Sequence, residues 1–303
     1  MKKWFIQLGV CGLLTLLLAG CGGKSREEEN NPKELLYGIV PSEDGEQTLK
    51  RMDAITKYFT RTLNMPVKCI QISNSSALIE AMRARKIHFA SGGAFTYLVA
   101  AEKANAEPII TTTATDQKIR QKRSCLVTYS GSSITIADLI KIPKKYTLTW
   151  AYPTSTTGHL VPRYFLQQNG VMPHHFKEVF TSTDHFATVL TVASRKVDVA
   201  AIYYPTLLKF IRTKRIKEGA VKVIWESGPV AHAPVFVRKD LNEVLKKRIQ
   251  QAYLRLKQDS PETYQVLRSQ YEFDIEYVPA SDTLYQPLRE MANQIEGLKL
   301  EPE

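Results

Sequence analysis

The stretch with the densest chemistry is Tyr152 to Pro162, YPTSTTGHLVP, in which an apolar strand runs into three consecutive hydroxyl residues, Ser155, Thr156 and Thr157, then a glycine and a helix. Pro162 has no N–H to give to an intrahelical bond, so it belongs in or near the first turn, and Ser155 to Gly158 then sit at the positive helix N-terminus. Unpaired amides there, with three hydroxyls, make an uncharged, donor-rich pocket suited to a tetrahedral oxyanion. Simple capping by one hydroxyl is the alternative; two further hydroxyls and a glycine exceed what a cap requires. The six histidines include the pair His174-His175, but no HExxH or Cys-His spacing accompanies them, so neither a metal nor another cofactor is expected. An acyl-transfer hydrolase built on the hydroxyls and His185 is the enzymatic alternative. It lacks the GxSxG elbow, and three adjacent hydroxyls suit donation better than activation of one nucleophile.

The elements that must position this loop follow a βαβ rhythm. Leu35 to Val40 reads as a strand, and Leu49, Met52, Ile55, Phe59 and Leu63 form a helical stripe. Val67 to Ile72 and Ile87 to Ala90 are strands around a helix carrying Leu78, Ile79 and Met82. A second set has strands at Ser124 to Tyr129, Tyr146 to Ala151, Val197 to Tyr203, Val221 to Trp225 and Pro234 to Val237, with helices at Gly158 to Gln168 and Phe186 to Ala193. The tail reads as helical, with Asp240 and Glu243 as a capping pair and Pro261 opening a further helix. This is an α/β pattern of mostly parallel sheets whose ligands bind beyond the carboxyl ends of the strands. At 303 residues, 44% apolar and 23% charged, the chain has material for two packed domains.

The N-terminus sets the compartment. Lys2 and Lys3 precede an apolar stretch from Trp4 to Leu18, shorter than the roughly 20 residues of a membrane span, and the segment ends Leu18-Ala19-Gly20-Cys21. Residues 1 to 20 therefore read as a secretory signal. Its end resembles the bacterial lipobox, which makes Cys21 the lipidated N-terminus and residues 21 to 33 a polar tether. Cleavage leaves 283 residues and lowers the formal charge from +11 to +9 by removing two lysines. An exported chain has no nucleic acid for a partner. Cys69 and Cys125 then remain, read as buried free thiols, with a disulfide as the alternative. The basic stretches Lys118 to Arg123 and Lys209 to Lys222 read as solvated faces, with contact to anionic lipid or a permease as the alternative.

With these residues in hand, the chain resembles the periplasmic phosphonate- and phosphite-binding proteins of ABC transporters. The segment Tyr152 to Pro162 is similar to that family's Ser-Thr-Ser-Gly loop, and YGIVP from Tyr37, AMRARKIHFASGG from Ala81, His185 to Val192, VDVAA from Val197 and VKVIWE from Val221 fall in its order and spacing. The resemblance implies a two-lobed type II periplasmic binding fold, with lobe one at 34–122 plus 238–303 and lobe two at 123–237. It further implies oxyanion contacts from Ser155, Thr156 and Thr157, a donor in His185, and ligand-facing positions for Thr96 and Tyr97. Tyr97 reads alternatively as a core aromatic. Tyr203, where relatives have an acidic residue nearby, is expected to donate to the anion. Asp198 is a weaker site candidate that reads equally as a strand brace. Ser75 and Phe186 stand where aminoethylphosphonate-binding relatives have a Tyr and a Glu, so the ammonium cage is absent, with Glu43 and Asp44 as alternative partners for such a group. Implied overall is a lipid-anchored, cell-envelope receptor, not an enzyme, handing phosphite, phosphate or an alkylphosphonate to a permease and ATPase. A periplasmic anion sensor with the same pocket is the alternative within the binding class.

Overall fold

The computed structural model describes residues 30–41, 45–114, 123–271 and 274–298. The signal segment, Cys21, most of the tether, Glu43, Asp44 and residues 118–122 lie outside them. Among the described residues no helix is long and apolar enough to cross a membrane.

Two sheets carry the chain. In the first, β1 (Leu35–Ile39), β2 (Val67–Gln71) and β3 (Phe89–Ser91) run parallel, linked by the helices Gly45–Leu63 and Ser75–Arg83. The strand β10 (Val235–Arg238) lies antiparallel between β3 and β4 (Ala106–Ala114), and β11 (Ile275–Pro279) closes the edge against β4. The second sheet has the order β7-β6-β8-β5-β9, from β5 (Ser124–Tyr129), β6 (Thr147–Trp150), β7 (Glu178–Thr181), β8 (Val199–Tyr203) and β9 (Val221–Glu226). Here β6 is parallel to β7 and β8, and β5 is antiparallel to β8 and β9. The carboxyl ends of β6 and β8 therefore point the same way, so the loops after Trp150 and Tyr203 meet.

The chain passes from the first sheet to the second between Ala114 and Ser124, and returns between Glu226 and Val235. A division at 237/238 would leave Val235–Val237 in the second lobe; their pairing puts them in the first sheet. Packing gives the reason: Val235 and Val237 enter one core cluster and Phe236 the other, the period-two alternation of a strand buried on both faces.

The tail holds the helices Glu243–Asp259, Pro261–Arg268 and Gln286–Asn293. Pro261 opens its helix as expected. The cap of the preceding helix is Asn242, whose side-chain oxygen accepts from the amides of Val244 and Leu245. Asp240 instead pairs with Arg238 and Arg85, each at 3.0 Å. Ile275–Pro279 interrupts the helical tail as an edge strand on β4.

Candidate functional site

The loop after β6 is built largely from its own hydrogen bonds. The Ser155 amide donates to Tyr152 O at 2.9 Å, and Ala151 N donates to Gly158 O at 2.9 Å, folding the chain back on the strand end. Thr156–Leu160 forms a π-turn, with Leu160 N–H reaching Ser155 O at 3.0 Å, and continues into the helix Val161–Gln168 with Pro162 in its first turn. The wide turn leaves the amides of residues 156 to 159 without intrahelical acceptors. Ser155 caps the turn, its Oγ accepting from Gly158 N at 3.0 Å. The hydroxyl run is thus both a cap and a cluster of donors, buried to within 1% to 3% exposure for Ser155, Thr156 and Thr157.

Glycine at 158 is required by space. A Cβ there would stand 2.4 Å from the Ala151 Cβ, 2.9 Å from His185 Cε1 and 3.1 Å from Ser155 Oγ. His185 follows Asp184, whose carboxylate caps its helix by accepting from Ala187 N at 2.7 Å. The ring packs edge-on to Tyr152, and Nδ1 accepts from the Tyr203 amide at 3.4 Å. That acceptance fixes the proton of the neutral ring on Nε2, which faces Ser155 Oγ at 3.5 Å.

The opposite wall comes from the first sheet. Gly92-Gly93 leads into the helix Ala94–Ala104, and Phe95 N–H donates to Thr156 Oγ1 at 2.9 Å across the two halves. A Cβ on Gly93 would lie 3.3 Å from that oxygen. Thr96 Oγ1 donates to Thr154 O at 3.1 Å, and Ser124 Oγ anchors the far side of the loop on Thr157 O at 2.5 Å. Two helix N-termini, one from each half, therefore converge on Thr156. Their amides and hydroxyls present hydrogen-bond donors at a buried point, the arrangement that stabilises an oxyanion.

Ser155, Thr156, Thr157, His185 and Thr96 are thus brought together, and Tyr203 is tied to them through its amide. Tyr203 also lines a cavity of about 280 Å³ with Ser91, Gly92 and His232. Two candidates are not brought there. The Tyr97 hydroxyl donates to Asp282, which also pairs with Arg289, and its ring packs on Phe236 and Tyr285. Burial first, and then the Asp282 carboxylate, push its pKa well above the usual phenol value. Asp198 lies at the amino end of β8, opposite the loop, and Oδ2 accepts from the Thr147 amide and hydroxyl, both at 2.8 Å. It braces β6 to β8.

Sequence reasoning missed Thr154, Gly93, the Phe95 amide, Ser124 and His159. A Gly-Gly pair opening an apolar helix was the available signal for Gly93. His159 had none: its Nδ1 sits 2.7 Å from Pro153 O and its ring lies edge-on to Trp150. Burial pushes its pKa down to about 4. Cys69 and Cys125 are free thiols, one in each sheet. Among the described residues no three His, Cys, Asp or Glu side chains gather as a metal site.

Known proteins place this geometry in context. Over 279 residues, 89% of this chain and 80% of the relative, the sequence is 26% identical to the phosphonates-binding periplasmic protein of Escherichia coli K12. A binding component of a Pseudomonas aeruginosa ABC phosphonate transporter shares the fold, with TM-score 0.74, 24% identity and 85% coverage of each chain. So does Prochlorococcus marinus PhnD1, a structure in complex with methylphosphonate, with TM-score 0.74, 22% identity and coverage of 87% of this chain and 98% of that one. These are type II periplasmic binding folds, and the two sheets with their crossings and helical tail match them. The family model described as the periplasmic substrate-binding protein of phosphonate ABC transporters matches residues 37–285, a span that includes both sheets and the loop between β6 and its helix, and the chain belongs to that family.

Proposed function

We propose that this chain captures a small phosphorus oxyanion, phosphite, phosphate or an alkylphosphonate, between its two halves and delivers it to the permease and ATPase of an ABC transporter, held to the membrane by lipid on Cys21. The observation that carries this reading is the convergence on Thr156 of the β6 loop and the N-terminus of the helix Ala94–Ala104. Phosphoryl oxygens accept from the Thr156 and Thr157 hydroxyls, the loop amides and His185 Nε2–H. The donors are neutral, so the ligand's charge is met by oriented dipoles rather than by a salt bridge.

The ligand's substituent is not an ammonium. By the resemblance, Phe186 takes the position of a carboxylate that serves one, and its ring packs on Phe210 and beneath the Arg215 guanidinium, 3.7 Å from the centroid. A buried ammonium there would meet a cation instead of an acceptor.

A thermal-shift screen of oxyanions and phosphonates tests the function, because a tight ligand raises stability by mass action. Stabilisation by phosphite, phosphate or methylphosphonate at low concentration is expected, and none from any of the three refutes the reading. For the anchor, fatty-acid labelling is expected to disappear in Cys21→Ser; equal label in the variant refutes it. A hydrolase would need His185 Nε2 to accept the Ser155 proton, the reverse of the tautomer that the Tyr203 amide favours. Ester turnover abolished by Ser155→Ala would establish that alternative.

A further inference from the structure

The cavity of about 280 Å³ behind Tyr203 is far larger than a hydrogen or a methyl group requires. Of its lining residues, Gly92 and Tyr203 adjoin the oxyanion loop: Gly92 precedes the glycine packed against Thr156, and the Tyr203 amide holds His185. From there the cavity runs under the first sheet, between the helix Gly45–Leu63 and the tail, to Arg51, Thr112, Tyr271 and Tyr277.

Arg51 is the unusual residue of this chamber. It lies on the buried stripe of its helix with Ile55 and Phe59, where an apolar side chain is the rule, and is only 8% exposed. Its Nη1 donates to Gln270 Oε1 at 2.8 Å and its Nη2 to Thr48 Oγ1 at 3.3 Å, which hold the guanidinium in place. The guanidinium charge reaches the buried phenols of Tyr37 and Tyr271. Tyr37 in turn donates to Ser91 Oγ at 2.7 Å, so polar groups line the chamber from Arg51 to Ser91.

We propose that this chamber receives the ligand's substituent and selects a phosphonate whose far end carries a second anion, such as a carboxylate, that Arg51 binds. The inference rests on the reading that the phosphoryl head sits on Ser155 to Thr157. A plain alkyl tail gains nothing from the guanidinium, and an ammonium tail would be repelled by it. A carboxylate gains charge-assisted bonds to the guanidinium, bidentate where geometry allows.

Calorimetry on the purified mature protein with methylphosphonate, propylphosphonate, 2-aminoethylphosphonate and 3-phosphonopropionate tests this. The wild type is expected to bind 3-phosphonopropionate at least about tenfold tighter than the other three, the scale of a charge-assisted hydrogen bond. In Arg51→Gln that advantage is expected to vanish while methylphosphonate affinity stays within about twofold, since Arg51 bonds to Gln270 and Thr48 and to none of the head-group donors. If the variant does not fold, the wild-type order of the equal-length propyl and carboxyethyl tails decides alone. Binding of 3-phosphonopropionate no tighter than propylphosphonate, or an advantage that survives Arg51→Gln, overturns the inference and leaves the oxyanion site standing. Failure of all four ligands to bind removes that site as well.

Discussion

Gly158→Ala is the most direct perturbation of the oxyanion loop, because it adds one methyl group at a defined point. The added carbon would stand 2.4 Å from the Ala151 Cβ, whereas carbon atoms pack at about 3.5–4.0 Å, so a gap of roughly 1 Å must open. Ala151 cannot simply yield, since its amide is bonded to Gly158 O. Overpacking of this kind costs about 1–3 kcal/mol, and each kcal/mol lowers the melting temperature by about 2–4 °C in a protein of this size. Binding suffers separately, because the same methyl group lies 2.9 Å from His185 Cε1 and 3.1 Å from Ser155 Oγ. Displacing the His185 donor is expected to weaken methylphosphonate binding at least about tenfold. Adding Ala151→Gly removes the first clash but not the second, so the double variant should regain much of the packing loss while its affinity recovers only in part. Urea unfolding and calorimetry on all four proteins form the double-mutant cycle. Wild-type stability and affinity in Gly158→Ala, or no stability regained in the double variant, refutes the reasoning.

Thr156→Val removes the acceptor of Phe95 N–H and one donor to the ligand, and is expected to weaken binding about ten- to a hundredfold by calorimetry, from roughly 1.5–3 kcal/mol for a charge-assisted bond; unchanged affinity refutes the placement. Ser155→Ala should weaken binding and also lower the ligand-free stability by about 1 kcal/mol, because Ser155 caps the π-turn. Tyr97→Phe and Asp198→Asn should each cost stability, by about 1 kcal/mol in net hydrogen bonding, with methylphosphonate affinity within about twofold of wild type, and a tenfold loss in either would return that residue to the site. His159, held neutral by burial, makes the unfolded chain bind a proton that the folded chain refuses between pH 6.5 and about 4. Stability is therefore expected to be full above pH 6.5 and to fall as pH drops through that window, by up to about 3 kcal/mol, with a shallower slope in His159→Gln.

The build of the β6 loop was legible because its signal is local: three hydroxyls, a glycine and a proline within eight residues fix a cap, a close approach and a helix start. The same holds for the βαβ units, whose periodicity changes within short windows. What could not be read locally is which sheet a strand joins. Val235–Arg238 follows the second set in sequence and pairs with the first, since antiparallel insertion between β3 and β4 depends on both faces being apolar and on partners more than a hundred residues away. Tyr97 shows the same limit: its apolar helix already admits a core aromatic, but the partner that draws its hydroxyl from the loop, Asp282, lies 185 residues on in the tail.

The contacts that sequence missed bear on the proposed capture. Phe95 N–H to Thr156 Oγ1 and Thr96 Oγ1 to Thr154 O join the two halves through one neutral side-chain oxygen each, with a backbone group as the partner. Such bonds are individually weak, about 1 kcal/mol net, because water serves the same groups when the halves separate. An anion seated on the loop changes that balance. Its oxygens accept from the loop donors and from the N-terminus of the facing helix together, and a charged acceptor roughly doubles the strength of each bond. The halves are then held by the ligand more than by one another, so affinity and closure rise from the same few groups, and a variant such as Thr156→Val that removes one of them should impair both.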